Sequence, residues 1–122
     1  LDLSIQIILG YIFAPIAWLM GIPWDEAILA GELLGLKTAL NEFYAYPGLA
    51  SEEYSSLSDR SKLITFYSLC GFANLSSVGI LVSGIAAMAP DRKEDLIKVS
   101  LKALVGATLA SCMTGLIVGI FI

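Results

Sequence analysis

An all-α membrane protein is what this sequence predicts, and three observations predict it. Hydrophobic residues make up 57% of the 122 and charged residues only 15%, where soluble domains run near a quarter charged. Charges are missing altogether from residues 3–24, 63–89 and 103–122, and each stretch reaches or exceeds the roughly 20 residues a helix needs to cross hydrocarbon. With a mean hydropathy of +0.83, so short a chain has too little polar surface to cover three such helices in water.

The same composition excludes several function classes. A net charge of −4 and seven basic residues without interleaved aromatics give nucleic-acid binding no support. The chain has no histidine, which removes His-based metal sites, His acid–base chemistry and the H-E-x-x-H zinc proteases. An intramembrane aspartyl protease needs acids within its spans, and none of the three uncharged runs holds one. Cys70 and Cys112 sit inside apolar runs and read as packing residues, not as a disulfide framework or a metal motif. The first uncharged run lacks a basic start and a small-residue cleavage site, so the sequence is expected to be a piece of a longer polypeptide and not to open on a signal peptide.

Residues 1–24 read as an interfacial or kinked helix, with a straight transmembrane span as the alternative. Pro15 removes a backbone donor and crowds the preceding turn, and Trp18 and Trp24 suit a membrane–water boundary. Residues 25–50 read as a re-entrant hairpin. Its first arm opens on Pro23, Asp25 and Glu26, which favour a helix's first turn. That arm also carries Glu32, Lys37 and Glu42, too many charges for a plain span. Its second arm ends near Pro47 and Gly48, and the two join near Asn41 and Glu42. Non-helical backbone at that depth requires shelter from protein or a water-filled cavity.

Residues 51–60, with three acids and four serines, read as a polar surface loop. Residues 61–89 read as a broken transmembrane helix, because Gly71 to Asn74 and Ser76 to Gly79 gather polar and small residues at mid-depth; a continuous helix packed through small residues is the alternative. Residues 91–122 read as a final transmembrane helix, opened by Asp91 and Glu94 at capping-box spacing. Gly106, Ala107, Ala110, Ser111 and Gly115 would give it a small-residue contact face. The basic residues of the link before it weakly set that link in the cytoplasm.

Glu42 is the residue most expected to carry chemistry. A charged side chain at membrane depth costs roughly 2.5–3.5 kcal/mol on insertion scales, so it keeps a partner and a task. One task is a structural lock with Lys37, or of Lys37 with Asn41, about one helical turn away. The other is to accept hydrogen bonds from a hydroxyl-bearing solute, since an ionised carboxylate offers acceptors only and a vicinal diol offers two donors. Asn74 and Ser77 are three apart and share a helix side. A break beside them would turn free backbone donors of the next half-helix into a cavity. Phe72 offers an apolar ring to a planar base. Each of these three also has a plain packing role open to it.

The stretch from Gly35 to Tyr46, GLKTALNEFYAY, resembles the signature of concentrative nucleoside transporters, GxKxxxNEFVA followed by an aromatic; Tyr44 stands where the family usually has Val. Cys70 to Ser77, CGFANLSS, is similar to the family's CGFANxSS segment, and residues 9–24 are similar to its stretch before the hairpin. The resemblance covers essentially the whole chain. It implies one of two inverted repeats of a secondary active transporter, moving nucleosides by elevator-like alternating access. It further implies that Glu42, Asn74 and Ser77 contact the ribose and Phe72 lies near the base, with Asn41 and Lys37 in support. By the same resemblance the coupling ion, Na+ or H+, is bound mainly by an N-terminal half outside this chain. That half would be a partner, as would the lipid bilayer and the other copies of a homotrimer built through scaffold helices also outside the chain. No cofactor is expected, and the setting is the plasma (cell inner) membrane. A gate-like or structural domain of another transporter family, with no nucleoside site, is the competing reading.

Overall fold

The computed structural model describes residues 4–122, so the first three residues of the predicted interfacial segment lie outside the described residues. The all-α class holds: six α-helices and two short 3-10 turns, with no strand among the described residues.

The first helix, α1 (Ile5–Leu19), starts at Ser4, whose hydroxyl accepts from the Ile7 amide at 3.3 Å. Pro15 lies inside this helix, which runs from Ile5 to Leu19. Ala14 and Ala17, on either side of the proline, are buried in the core, so tertiary packing holds the helix through the missing donor. The direction changes after it instead, where Gly21 adopts φ +94°, a conformation open to glycine at little cost. There α1 and α2 (Trp24–Ala39) bend by 118°. Trp18 and Trp24 meet edge to face across this bend at 6.3 Å, both more than half exposed. At 15 residues α1 is about 22 Å long, short of the roughly 30 Å hydrocarbon core. It packs along α2 so closely that a Cβ on Gly31 would come within 2.6 Å of the Gly10 carbonyl oxygen.

After α2 the backbone is extended at Asn41 (φ −167°, ψ 175°) and then re-enters a helix, α3 (Glu42–Leu49), which contains Pro47. The two arms lie side by side: a Cβ on Gly48 would sit 2.9 Å from the Leu33 side chain, and Leu33 joins Leu49, Tyr54 and Leu57 in a small core of its own. A polar connection follows, and then α4 (Asp59–Leu69), capped by Ser58, whose hydroxyl accepts from the Ser61 amide. The chain unwinds over residues 70–74 and resumes as α5 (Leu75–Met88), capped by Asn74.

The last helix, α6 (Lys93–Phe121), follows a 3-10 turn at Pro90–Arg92. Asp91 falls inside that turn and the N-cap position goes to Arg92, which makes no side-chain cap, so the expected capping box does not form. Pro90 opens the 3-10 turn and moves the α-helix start beyond Asp91. Arg92 instead pairs with Asp95 at 3.0 Å. Together, Pro90–Phe121 is one helix long and apolar enough to cross a membrane.

Of the expected small-residue face of α6, Ser111 and Gly115 are buried within this chain. The helix also buries Cys112 and Gly119, whereas Gly106, Ala107 and Ala110 are exposed. The contact is set by α4, which reaches only the second half of α6: a Cβ on Gly115 would collide with the Ser68 hydroxyl and approach the Ile64 carbonyl to 2.6 Å. Outward from that contact run Leu101, Val105, Leu109, Met113, Ile117 and Ile120, all exposed. An apolar stripe of this length suits lipid or further helices, not water.

Polar groups gather at one end of the bundle. Ser58 donates to Glu26 at 2.9 Å, and Arg60 donates to the Gly119 carbonyl at 2.9 Å. From that end α2, with 16 residues, runs about 24 Å inward and α4, with 11, about 16 Å. The α2–α3 turn and the α4–α5 break therefore meet away from that polar end.

Candidate functional site

The meeting point is built from two interrupted elements. An interruption leaves orphan carbonyls at one helix end and orphan amides at the other, and at depth these need partners from the protein. The hairpin supplies several. Lys37 on α2 donates to the Ser68 carbonyl at 3.1 Å, and Tyr46 on α3 donates to the Phe66 carbonyl at 3.3 Å while touching Cys70 Sγ at 3.0 Å. Cys70 closes its own turn onto the Tyr67 carbonyl. Both arms of the hairpin thus cap the end of α4.

On the other side of the break, Asn74 starts α5. Its Oδ1 accepts from the Ser77 amide at 2.7 Å, and its Nδ2 donates to Glu42 Oε2 at 3.0 Å. Glu42 and Asn74 are both buried, at 8% and 1% exposure. Glu42 is also the first residue of α3, where the positive end of the helix dipole favours a carboxylate. The arrangement fixes a carboxylate at the hairpin tip, with one oxygen engaged by an amide and the other open to a donor.

The remaining candidates divide. Ser77 is half-buried and lines a cleft of about 150 Å3 between α5 and α6, together with Phe72, Asn74 and Leu104. Phe72 is 75% exposed and makes no aromatic contact with Glu42's neighbours. Asn41 adjoins the tip, and its side-chain Oδ1 is buried without a hydrogen-bond partner. Lys37 is 1% exposed and is not locked to Glu42 or Asn41: among the described residues the one ion pair within 4.0 Å is Arg92–Asp95, and the lysine's hydrogen bond goes to Ser68. A larger hollow of about 750 Å3, lined by Tyr46, Leu49, Asp59, Lys62, Leu63 and Phe66, lies between α3 and α4 and takes no residue from the pair Glu42 and Asn74.

Sequence reasoning missed two features here. Tyr46 counted only as an aromatic after the motif, with no sign of its reach to α4. Glu32, which is 8% exposed, accepts from Tyr54 at 3.2 Å, and Tyr54 comes from the connection expected to be a plain surface loop. Burial, and then the Glu32 carboxylate beside it, push the Tyr54 phenol up from its ordinary range. Among the described residues no group of three or more His, Cys, Asp or Glu is arranged to hold a metal ion.

Comparison with known proteins gives a consistent result. Residues 1–119 match the family described as Na+ dependent nucleoside transporter C-terminus. Nucleoside permease NupC of Helicobacter pylori is 43% identical over 98% of this chain and 30% of its own length. Human solute carrier family 28 member 3 is 38% identical over 98% of this chain and 19% of its own length. The structure of CNTnw in an inward-facing substrate-bound state superposes with a TM-score of 0.88 at 44% identity, covering 98% of this chain and 30% of that one. The chain therefore spans less than a third of the relatives it matches.

Proposed function

The chain belongs to the Na+ dependent nucleoside transporter family, whose C-terminal part it matches over residues 1–119, and from that premise we propose that the longer protein carrying it takes up nucleosides by ion-coupled alternating access. The observation that carries the reading is the bond from Asn74 to Glu42, 3.0 Å long and buried, which joins hairpin tip to helix break. Asn74 fixes the plane of the carboxylate, and the free oxygen of Glu42 accepts from a sugar hydroxyl. Ser77, one turn into α5, adds a hydroxyl beside it. The exposed ring of Phe72 lies against the base. Asn41 and Lys37 hold the tip in shape.

Transport follows from moving this assembly between the two sides of the cell inner membrane, in an elevator-like step. Residues 1–24 act as an interfacial helix, residues 25–50 as a re-entrant hairpin, residues 61–89 as a broken span and residues 91–122 as a full span. Coupling requires that ion and solute together favour an occluded state that either alone favours less. The ion, Na+ or H+, binds mainly in the N-terminal half, and the working unit is a homotrimer held by scaffold helices. In support, CNTnw, 44% identical to this chain, is solved in inward-facing substrate-bound, intermediate and outward-facing states. The solute passes through chemically unchanged, as in a transporter and not an enzyme.

Tritiated uridine uptake by cells making the full-length protein tests the reading. Glu42→Gln and Glu42→Ala are expected to abolish uptake while surface expression stays normal. Uptake at the wild-type rate by both variants would overturn it.

A further inference from the structure

The strongest unexplained group is the buried ammonium of Lys37. It is 1% exposed within this chain alone, so its surroundings are already complete without the rest of the transporter. An ammonium has three donors and no acceptor, yet its hydrogen bond here is the one to the Ser68 carbonyl at 3.1 Å. Ser68 lies in the last turn of α4, where the chain unwinds and the carbonyl loses the amide that a continuing helix would bring. The C-terminal end of a half-helix carries the negative pole of its dipole, and in discontinuous membrane helices such ends and the unwound carbonyls beside them coordinate small cations.

We infer that Lys37 is a tethered cation: its ammonium fills the place at the α4–α5 break where a free coupling ion would otherwise sit, and so fastens the hairpin to the broken helix whatever the ion concentration. Two features fit a cation seat better than a simple hydrogen bond. The seat faces carbonyl oxygen at a negative helix end. The walls are kept small, since a Cβ on Gly71 would stand 3.7 Å from Nζ and collide with the Ser111 hydroxyl. Lys37 is on this account a positioning residue. It sets the distance between α2 and the end of α4, and thereby the distance between Glu42 on the hairpin and Asn74 on the break.

The inference goes beyond the nucleoside reading and is tested without solute. The purified full-length transporter is heated at constant ionic strength in choline, sodium or methylammonium chloride. Lys37→Ala empties the seat; its midpoint should fall by about 5 °C or more in choline and regain at least half of that loss in sodium or methylammonium, beyond any shift the wild type shows. Lys37→Met fills the space without charge and Lys37→Gln keeps a donor without charge. Both should lose stability and regain nothing. A Lys37→Ala protein that recovers no more than Lys37→Met, or that stays unfolded in every cation, overturns the inference. So does a Lys37→Gln protein with the wild-type midpoint in choline, because a neutral donor would then suffice. Wild-type uptake by the Glu42 variants together with cation rescue of Lys37→Ala would reject the nucleoside reading alone, whereas lost uptake without that rescue would reject the cation seat alone.

Discussion

Asn74 and Glu42, 32 residues apart in sequence, share a hydrogen bond of 3.0 Å, and the same asparagine side chain accepts from the Ser77 amide at 2.7 Å. One residue therefore starts the half-helix α5 and fixes the orientation of the carboxylate at the hairpin tip. A solute that draws on Glu42 must act on the start of α5 as well.

If the open oxygen of Glu42 accepts from a sugar hydroxyl, removing that hydroxyl from the solute should matter only while the carboxylate is there. A hydrogen bond to a charged group contributes about 1.5–3 kcal/mol. The full-length wild type should thus bind at least one of the 2′- or 3′-deoxynucleosides about 10- to 100-fold more weakly than the ribonucleoside. Glu42→Ala should bind both poorly and alike. Calorimetric titration of both proteins with the ribonucleoside and each deoxynucleoside closes the cycle, and an undiminished preference for the ribonucleoside in Glu42→Ala would reject the contact.

The two bonds of Asn74 can be separated by substitution. Asn74→Ala removes cap and carboxylate contact together, and loss of a cap alone costs about 0.5–2 kcal/mol. Asn74→Asp keeps an oxygen for the Ser77 amide but sets a second carboxyl against Glu42. Asn74→Asp should therefore lose nucleoside binding while keeping the helicity of α5, whereas Asn74→Ala should lose binding and loosen the start of α5. Hydrogen exchange across residues 75–79 checks the second half. Equal protection in the two variants would mean the cap is idle.

How much of this was legible in the sequence depends on the length scale of each feature. Charge-free runs revealed the helices, because burying charge in hydrocarbon is costly enough to shape composition over twenty residues. The helix interruptions before Glu42 and before Leu75 fall where polar and small residues cluster in the sequence. Pro15 is carried inside α1, its local penalty offset by packing of Ala14 and Ala17 that no local pattern reveals. On α6 the expected face was legible in part: Ser111 and Gly115 do pack against α4, whose length decides how far along α6 that contact runs. The pairs Lys37–Ser68 and Tyr54–Glu32 join a side chain to a group that any residue might carry or to a loop residue, so spacing held no trace of them.

The contact between α4 and α6 is set at Gly115. A methyl group there would collide with the Ser68 hydroxyl, which can rotate away, and with the Ile64 carbonyl at 2.6 Å, which cannot without moving α4. Overpacking of this kind costs about 1–3 kcal/mol, against a gain of about 1 kcal/mol for alanine over glycine in a helix interior. Gly115→Ala should lower the thermal midpoint of the full-length protein, and Gly115→Leu should prevent its accumulation. A midpoint raised by Gly115→Ala would show that the helices stand further apart than described.

The pair formed by Glu32 and Tyr54 gives the clearest stability test. Glu32 accepts from the Tyr54 hydroxyl at 3.2 Å, and its Cγ would lie 2.6 Å from a Cβ on Gly10. Tyr54→Phe leaves the buried carboxyl without that donor, and an unsatisfied buried polar group costs about 1–3 kcal/mol. Replacing both partners by apolar groups of similar shape removes the unsatisfied group along with the bond and is expected to be nearly neutral. The double variant Glu32→Leu with Tyr54→Phe should therefore be more stable than Tyr54→Phe alone, although it carries one more substitution. Glu32→Gln alone keeps an acceptor for the tyrosine and should fall between Tyr54→Phe and wild type. Thermal midpoints of the four proteins decide the order. If the double variant proves the least stable of them, the carboxyl has a second partner in the intact transporter and this description of its surroundings fails.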